Sequence, residues 1–126
     1  MTTTENLLFL LGLALLFSHE LDAVRQREWR LLFILRHMPE QTAAPAFIAI
    51  HVPFFLVLLV ATEASSAWGF WSRAAICAFL VIHAGLHWAL RHRTECNFNS
   101  GWSRALIYGA AVIGVLQILV ASGILH

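Results

Sequence analysis

The 126-residue chain contains no lysine, a single aspartate and a single tyrosine, and only 12% of its residues are charged. Set against 60% apolar residues and a mean hydropathy of +0.74, this scarcity of charge excludes an ordinary soluble domain, which would have too little polar surface to stay dispersed. A formal net charge of +1 gives no reason to expect nucleic acid as a partner. The two cysteines, Cys77 and Cys96, form neither a CxxC pair nor an evenly spaced framework. A dithiol redox site and a structural disulfide are therefore not expected, and Cys77 reads as a small packing residue. The chain also lacks a serine-hydrolase elbow, a phosphate loop, an internal repeat and a low-complexity tract.

What the sequence does have is four apolar blocks, about 7–24, 44–62, 74–90 and 105–125. Each is close to the roughly 17–25 residues that a helix needs to cross the hydrocarbon core. Lipid offers no partners for backbone N–H and C=O groups, so such blocks must be helical. The first has no basic segment before it and no small-x-small cleavage pattern after it, and it ends in Ser18-His19-Glu20; it reads as a retained span, not a discarded signal. The expected architecture is all-α, a four-helix transmembrane up-down bundle forming a single integral membrane domain over 1–126.

Arginine alone sets the expected orientation. Arg25, Arg27, Arg30 and Arg36 lie between the first two blocks, Arg91, Arg93 and Arg104 between the last two, and Arg73 on the other side. The positive-inside rule then places both connecting segments in the cytoplasm and both termini outside a bacterial plasma membrane. Trp29, Trp88 and Trp102 fit an aromatic belt on the basic side, and Trp68 and Trp71 fit the other. The stretch RQREWRLLFILRHM, Arg25 to Met38, is too charged to span and too apolar for a solvated loop, which predicts an amphipathic helix, about 26–38, lying in the cytoplasmic interface. A bent continuation of the first helix is the alternative. Pro39 to Pro45 reads as a linker with Pro45 starting the second helix, and Pro53 as a kink that frees a carbonyl near His51. Glu63 to Trp71 reads as an outer turn, Thr94 to Gly101 as a polar loop, and Ser103 as the cap of the fourth helix. Ala105, Gly109, Ala110 and Gly114 are small enough to admit a close neighbour, although small residues are common in membrane helices generally.

Within these blocks sit His19, Asp22, His51, His83 and His87. Ionisable groups at membrane depth are costly and mark functional sites by default. At a rise of about 1.5 Å per residue, His19, His51, His83 and His87 lie roughly 9, 10, 12 and 6 Å inward from the basic boundary. They share one layer although they come from three helices. His83 and His87, in HAGLH, are i and i+4, about 40° apart on one face, a spacing that lets two imidazoles hold one ion. His19 and Asp22 are i and i+3 and also face inward together, whereas Glu20 is offset by about 100°. Glu20 is expected to pair with an arginine such as Arg25 or Arg91, or to orient a ligand histidine. The predicted metal set is therefore His19, Asp22, His51, His83 and His87, with Asp22 and Glu20 as catalytic carboxylates. HAGLH is not a zincin HExxH, since Ala84 occupies the position of the base. His37, His92 and His126 read as solvated, Tyr108 as a donor to the site or an interfacial anchor, Gln117 as a packing residue, and Ser18 as a packing residue or a group that polarises substrate.

The segments HELDAVRQREWR, HAGLHWALRH and FNSGWSRALIYGAA resemble an uncharacterised family of small four-helix bacterial membrane proteins. More distantly the chain is similar to HXXEE-type membrane proteins, from which it departs by having Asp22-Ala23 where two glutamates would stand. The resemblance implies the fold and the site without naming a reaction. Imidazole with carboxylate suits a divalent ion, zinc or iron. The expectation is a metal-binding membrane protein, acting as a hydrolase on a lipid-soluble substrate near the cytoplasmic face with membrane lipid around it. The alternatives are a haem-binding electron carrier, with His51 and His87 as axial ligands, and a non-enzymatic metal or proton conduit or membrane-complex subunit.

Overall fold

The computed structural model describes residues 3–63, 67–93 and 100–124, and these form four long helices with no strand among them. The helices are α1 (Thr3–Gln26), α2 (Glu40–Glu63), α3 (Ala67–Leu90) and α4 (Gly101–Ala121). All four are long and apolar enough to cross a membrane. Their outward faces carry Leu7, Leu10, Leu21, Ile50, Val57, Ile82 and Val112, all exposed, which suits a surface solvated by acyl chains and not by water.

Along α1 the buried residues Phe9, Leu13, Leu16, Glu20 and Ala23 recur at intervals of three and four, the spacing of one helical face. The lower part of that face is apolar; its upper part carries His19 and Glu20. The helix stops after Gln26 because Arg27 turns left-handed, with φ of 60°. A non-glycine residue in that region costs roughly 1–2 kcal/mol. Burial of Trp29 and the bond from the Arg27 guanidinium to Glu40 (3.2 Å) offset this.

The segment expected to be one interfacial helix is instead two short 3-10 turns, Glu28–Leu31 and Leu35–His37. Trp29, expected in the interfacial belt, is 3% exposed. Its ring lies among Ala23, Leu35, Ala43, Phe47 and Ala84, pinning the first turn beneath the bundle. Three-residue periods suffice here because the turn has to bury only one large side chain.

All four helices start before their hydropathy blocks, α1 by four residues at Thr3. α2 begins at Glu40, with the Pro39 carbonyl accepting from Thr42 and Ala43 N–H, both at 2.9 Å. Pro45 therefore lies within the helix, where it forgoes only the bond to the Gln41 carbonyl. α3 begins at Ala67, so Trp68, Gly69, Phe70 and Trp71 are helical; tryptophan and glycine are weakly hydropathic and hide the first turns from an apolar-block reading. α4 begins at Gly101 with Ser100 as its cap, accepting from Ser103 N–H at 3.0 Å. Ser103 is thereby freed for another partner. Cys96 and His126 lie outside the described residues, as does most of the expected polar loop.

Between apolar helices in lipid there is little hydrophobic drive, so close packing and polar ties decide association. α4 packs along α1 and α3. A Cβ at Gly114 would approach the Cys77 carbonyl oxygen to 2.9 Å, and one at Gly12 would lie 3.2 Å from Leu80 and 3.3 Å from Ile113. Gly114 thus brings the backbones of α3 and α4 into contact. At one end of the bundle, Arg73 of α3 donates to Asn6 of α1 (2.8 Å) and to the Thr62 carbonyl of α2 (3.1 Å), with its guanidinium 4.7 Å from the Phe9 ring centroid. At the other end, the Ser103 hydroxyl of α4 donates to the Asp22 carboxylate of α1.

Candidate metal centre

His83 and His87 stand one turn apart on α3, their ring centroids 4.7 Å from each other. Across the interface, His19 of α1 lies 4.9 Å from the His83 ring and 5.0 Å from the His87 ring. The His19 and His83 Nε2 atoms are 2.8 Å apart. The fourth member is Glu28. Its Oε1 is 3.3 Å from His87 Nε2 and its Oε2 is 3.5 Å from His19 Nε2. One ligand atom from each of the four residues lies within 4.8 Å of all the others.

These separations fit an ion. Metal bonds of about 2.0–2.2 Å place neighbouring ligand atoms of a tetrahedral site roughly 3.4 Å apart. The two glutamate contacts match that spacing, and His19 and His83 need to part by about half an ångström. Glu28 Oε2 is buried and has no hydrogen-bond partner, a cost of about 1–3 kcal/mol or more for a charged group. A cation between the imidazoles would satisfy it. Burial works to raise the Glu28 carboxyl, but the hydrogen bond from His87 and the charges of His87, His19 and His83 outweigh it and hold the group below the ordinary carboxylate range.

His51 and Glu20 form a separate pair beside this group. His51 Nδ1 is 2.6 Å from the Phe47 carbonyl and its Nε2 is 2.8 Å from Glu20 Oε2. A carbonyl only accepts, so Nδ1 donates to it and fixes the ring. The carbonyl used is that of Phe47, one turn before His51, not the one that Pro53 frees. Glu20 lies close enough to Glu28 and His87 to feel their charge. Of the two partners expected for Glu20, an arginine or a histidine, the structure gives it a histidine.

Asp22 faces α4. Its Oδ1 accepts from Arg25 Nε at 3.0 Å and pairs with Arg25 Nη2 at 2.8 Å, while Oδ2 accepts from Ser103. Gln26 completes the network at 3.5 Å. Of the five residues expected as ligands, the structure brings together His19, His83 and His87; it places His51 with Glu20 and gives Asp22 to a tie between α1 and α4. Tyr108 and His92 are exposed, as is His37, which is bonded to Arg36.

Glu28 was missed for a physical reason. If α1 continued straight, nine residues would rotate Glu28 by about 180° from His19, onto the opposite face. Only the left-handed turn at Arg27 returns it under the bundle. The usable signal was the adjacent tryptophan: a large apolar residue amid arginines marks a segment folded inward at that point.

The sequence matches a family of unknown function, DUF6713, over residues 5–123. The chain belongs to this family. No curated protein and no solved structure matches it. Membership agrees with the resemblance to an uncharacterised family and assigns no reaction to the DUF6713 site.

Proposed function

We propose that this protein is a multi-pass membrane protein that binds one divalent ion, zinc or iron, through His19, His83, His87 and Glu28, and that the centre hydrolyses a lipid-soluble substrate. The observation that carries the reading is the convergence of four ligand atoms from α1, α3 and the turn after α1 in an otherwise apolar bundle. In this reading the helices run up and down across the membrane, and the basic segments place the centre near the cytoplasmic face. Lipid then has lateral access and water has access from the cytosol.

The chain's own groups divide the work. The three histidines sit on long helices and hold their places, whereas Glu28 hangs from a short turn and is the ligand most easily displaced. A divalent ion there supplies Lewis acidity. Glu20, oriented by His51, is placed to accept a proton and return it to a leaving group. Asp22, with both oxygens engaged, serves the fold and not the chemistry.

An ion fits better than haem. The three imidazoles are 4.7–5.0 Å apart between centroids, which leaves no gap for a macrocycle, and His51 is held by Glu20. A conduit is also disfavoured, because Leu13, Leu16 and Leu80 fill the bundle interior below the site. The test is to purify the protein gently in detergent, record its visible spectrum and measure bound metals, then repeat with His83→Ala/His87→Ala. Stoichiometric zinc or iron that the double variant lacks is the expected result; a Soret band, or no metal in either protein, overturns the reading. Release of fatty acid from a diacylglycerol by the metal-loaded protein alone would support hydrolysis.

A further inference from the structure

We infer that the segment joining α1 and α2 is a docking surface for acidic phospholipid, with Leu32, Phe33 and Ile34 dipping into the leaflet and Arg36 holding the anionic headgroup. The inference rests on the reading of the four helices as membrane spans and is independent of the metal centre. Leu32, Phe33 and Ile34 are consecutive and are 42%, 74% and 76% exposed. Trp29 and Leu35, on either side of them, are buried in the same apolar cluster, so the three side chains between stand out on a tether fixed at both ends. The Arg36 N–H donates to the Leu32 carbonyl at 2.9 Å, and the Arg30 guanidinium to the Arg36 carbonyl at 3.2 Å, which closes the loop. Three large apolar side chains held in a row call for an apolar medium around them. Leu32 is six residues past the end of α1 and Ile34 six before the start of α2. The tip therefore lies where two spans leave the hydrocarbon, at the level of the headgroups.

Charge selects the lipid. Arg25 is matched by Asp22, whereas Arg27 and Arg30 share a single carboxylate, Glu40, at 3.2 and 3.8 Å. Arg36 has no carboxylate partner among the described residues. Its guanidinium lies 4.9 Å from the Phe33 ring centroid, and its Nε donates to His37 Nε2 at 3.0 Å. Uncompensated positive charge thus stands directly beside an exposed apolar ring, the combination that pairs an acyl-chain contact with a headgroup contact. A zwitterionic headgroup brings its own cation and gains little there. A headgroup of net negative charge gains about fivefold for each arginine at the surface. An acidic protein segment would answer the same charge, but the bilayer already adjoins the tip, because α1 and α2 enter it on either side.

The test replaces Phe33 by the photoreactive p-benzoylphenylalanine in the full chain, held in nanodiscs of phosphatidylcholine with a minor share of phosphatidylglycerol. The same replacement at Val57, exposed on the outer face of α2, is the control, and the lipid attached on irradiation is identified by intact mass. Both positions should capture lipid, Val57 in the ratio of the bilayer and Phe33 with phosphatidylglycerol enriched about fivefold over that ratio. Arg36→Gln should return the Phe33 adduct to the ratio of the bilayer, and Arg36→Lys, which keeps the charge, should retain the enrichment. Absence of lipid at Val57 overturns the spanning reading itself. Lipid at Val57 but none at Phe33, no enrichment at Phe33, or enrichment that survives Arg36→Gln overturns the lipid site alone. In native membranes, capture of a protein at Phe33 in place of lipid overturns it in favour of a protein partner.

Discussion

The two ends of this bundle are held together by different means. At the site end, His19, Glu20, Glu28, His51, His83 and His87 crowd into one layer, and each of these costly groups is kept within reach of another. At the remote end, one arginine ties α1, α2 and α3 while glycine contacts lock α4 onto α3. The ionisable groups at the site end go beyond what association requires, since the remote end associates with far fewer. That surplus is what separates the two ends: one gathers ionisable groups beyond the needs of cohesion, and the other is held by one arginine and by close packing.

If the ends are independent, substitutions should separate them, because sites well over 10 Å apart without shared partners act additively. The largest effect is expected from His83→Ala/His87→Ala, which removes two ligands on one face; bound metal should fall from one per chain to background by elemental analysis. Glu28→Gln should come next, weakening metal affinity by roughly 10–100-fold in competition with a chromophoric chelator, because the amide keeps the shape and loses the charge. Glu20→Gln and His51→Ala should keep the metal stoichiometric and lower affinity by about tenfold or less, the range of groups that act from outside the ligand set. The smallest effect on metal should come from Arg73→Ala: affinity unchanged, with the melting temperature in detergent lower by about 5 °C for each kcal/mol of lost tie. Arg73→Ala releasing the metal would break the comparison.

Acid offers a further separation. Imidazoles must be neutral to bind an ion, so protons compete with the metal and affinity should fall in acid. Glu28 is held below the ordinary carboxylate range, so its contribution is present above that range and is lost only at low pH. The difference in affinity between wild type and Glu28→Gln should consequently stay constant between about pH 8 and pH 6. A difference that shrinks toward pH 6 would mean that the carboxylate itself titrates there.

Much of this arrangement was legible in the chain because membrane helices are constrained by length and polarity. The four long apolar helices followed from apolar block length, and the convergence of His19, His83 and His87 from depth and helical phase. HAGLH was informative because both of its histidines lie in one helix, where spacing alone fixes their relation. Asp22 was misleading for the complementary reason: phase told which way it faced relative to His19, about 60° away, but not which neighbour stood there. Ser103 and Arg25 occupy that side and claim the carboxylate. The helix starts were read late wherever polar or weakly hydropathic residues, such as Glu40 to Thr42 and Trp68 to Trp71, entered the helix.

By itself the sequence determined an all-helical membrane-type chain with an ionisable layer toward one end, because bilayer thickness and helical rise leave few other solutions. The tertiary structure alone decided the fourth member of that layer. Glu28 reaches His87 and His19 only because Arg27 turns left-handed and Trp29 is buried, and a backbone reversal of that kind depends on long-range packing that no local periodicity records. The same holds for Glu20 with His51 and for Asp22 with Ser103. Each residue's depth was set by its own helix, but its partner was set by which helix packs beside it.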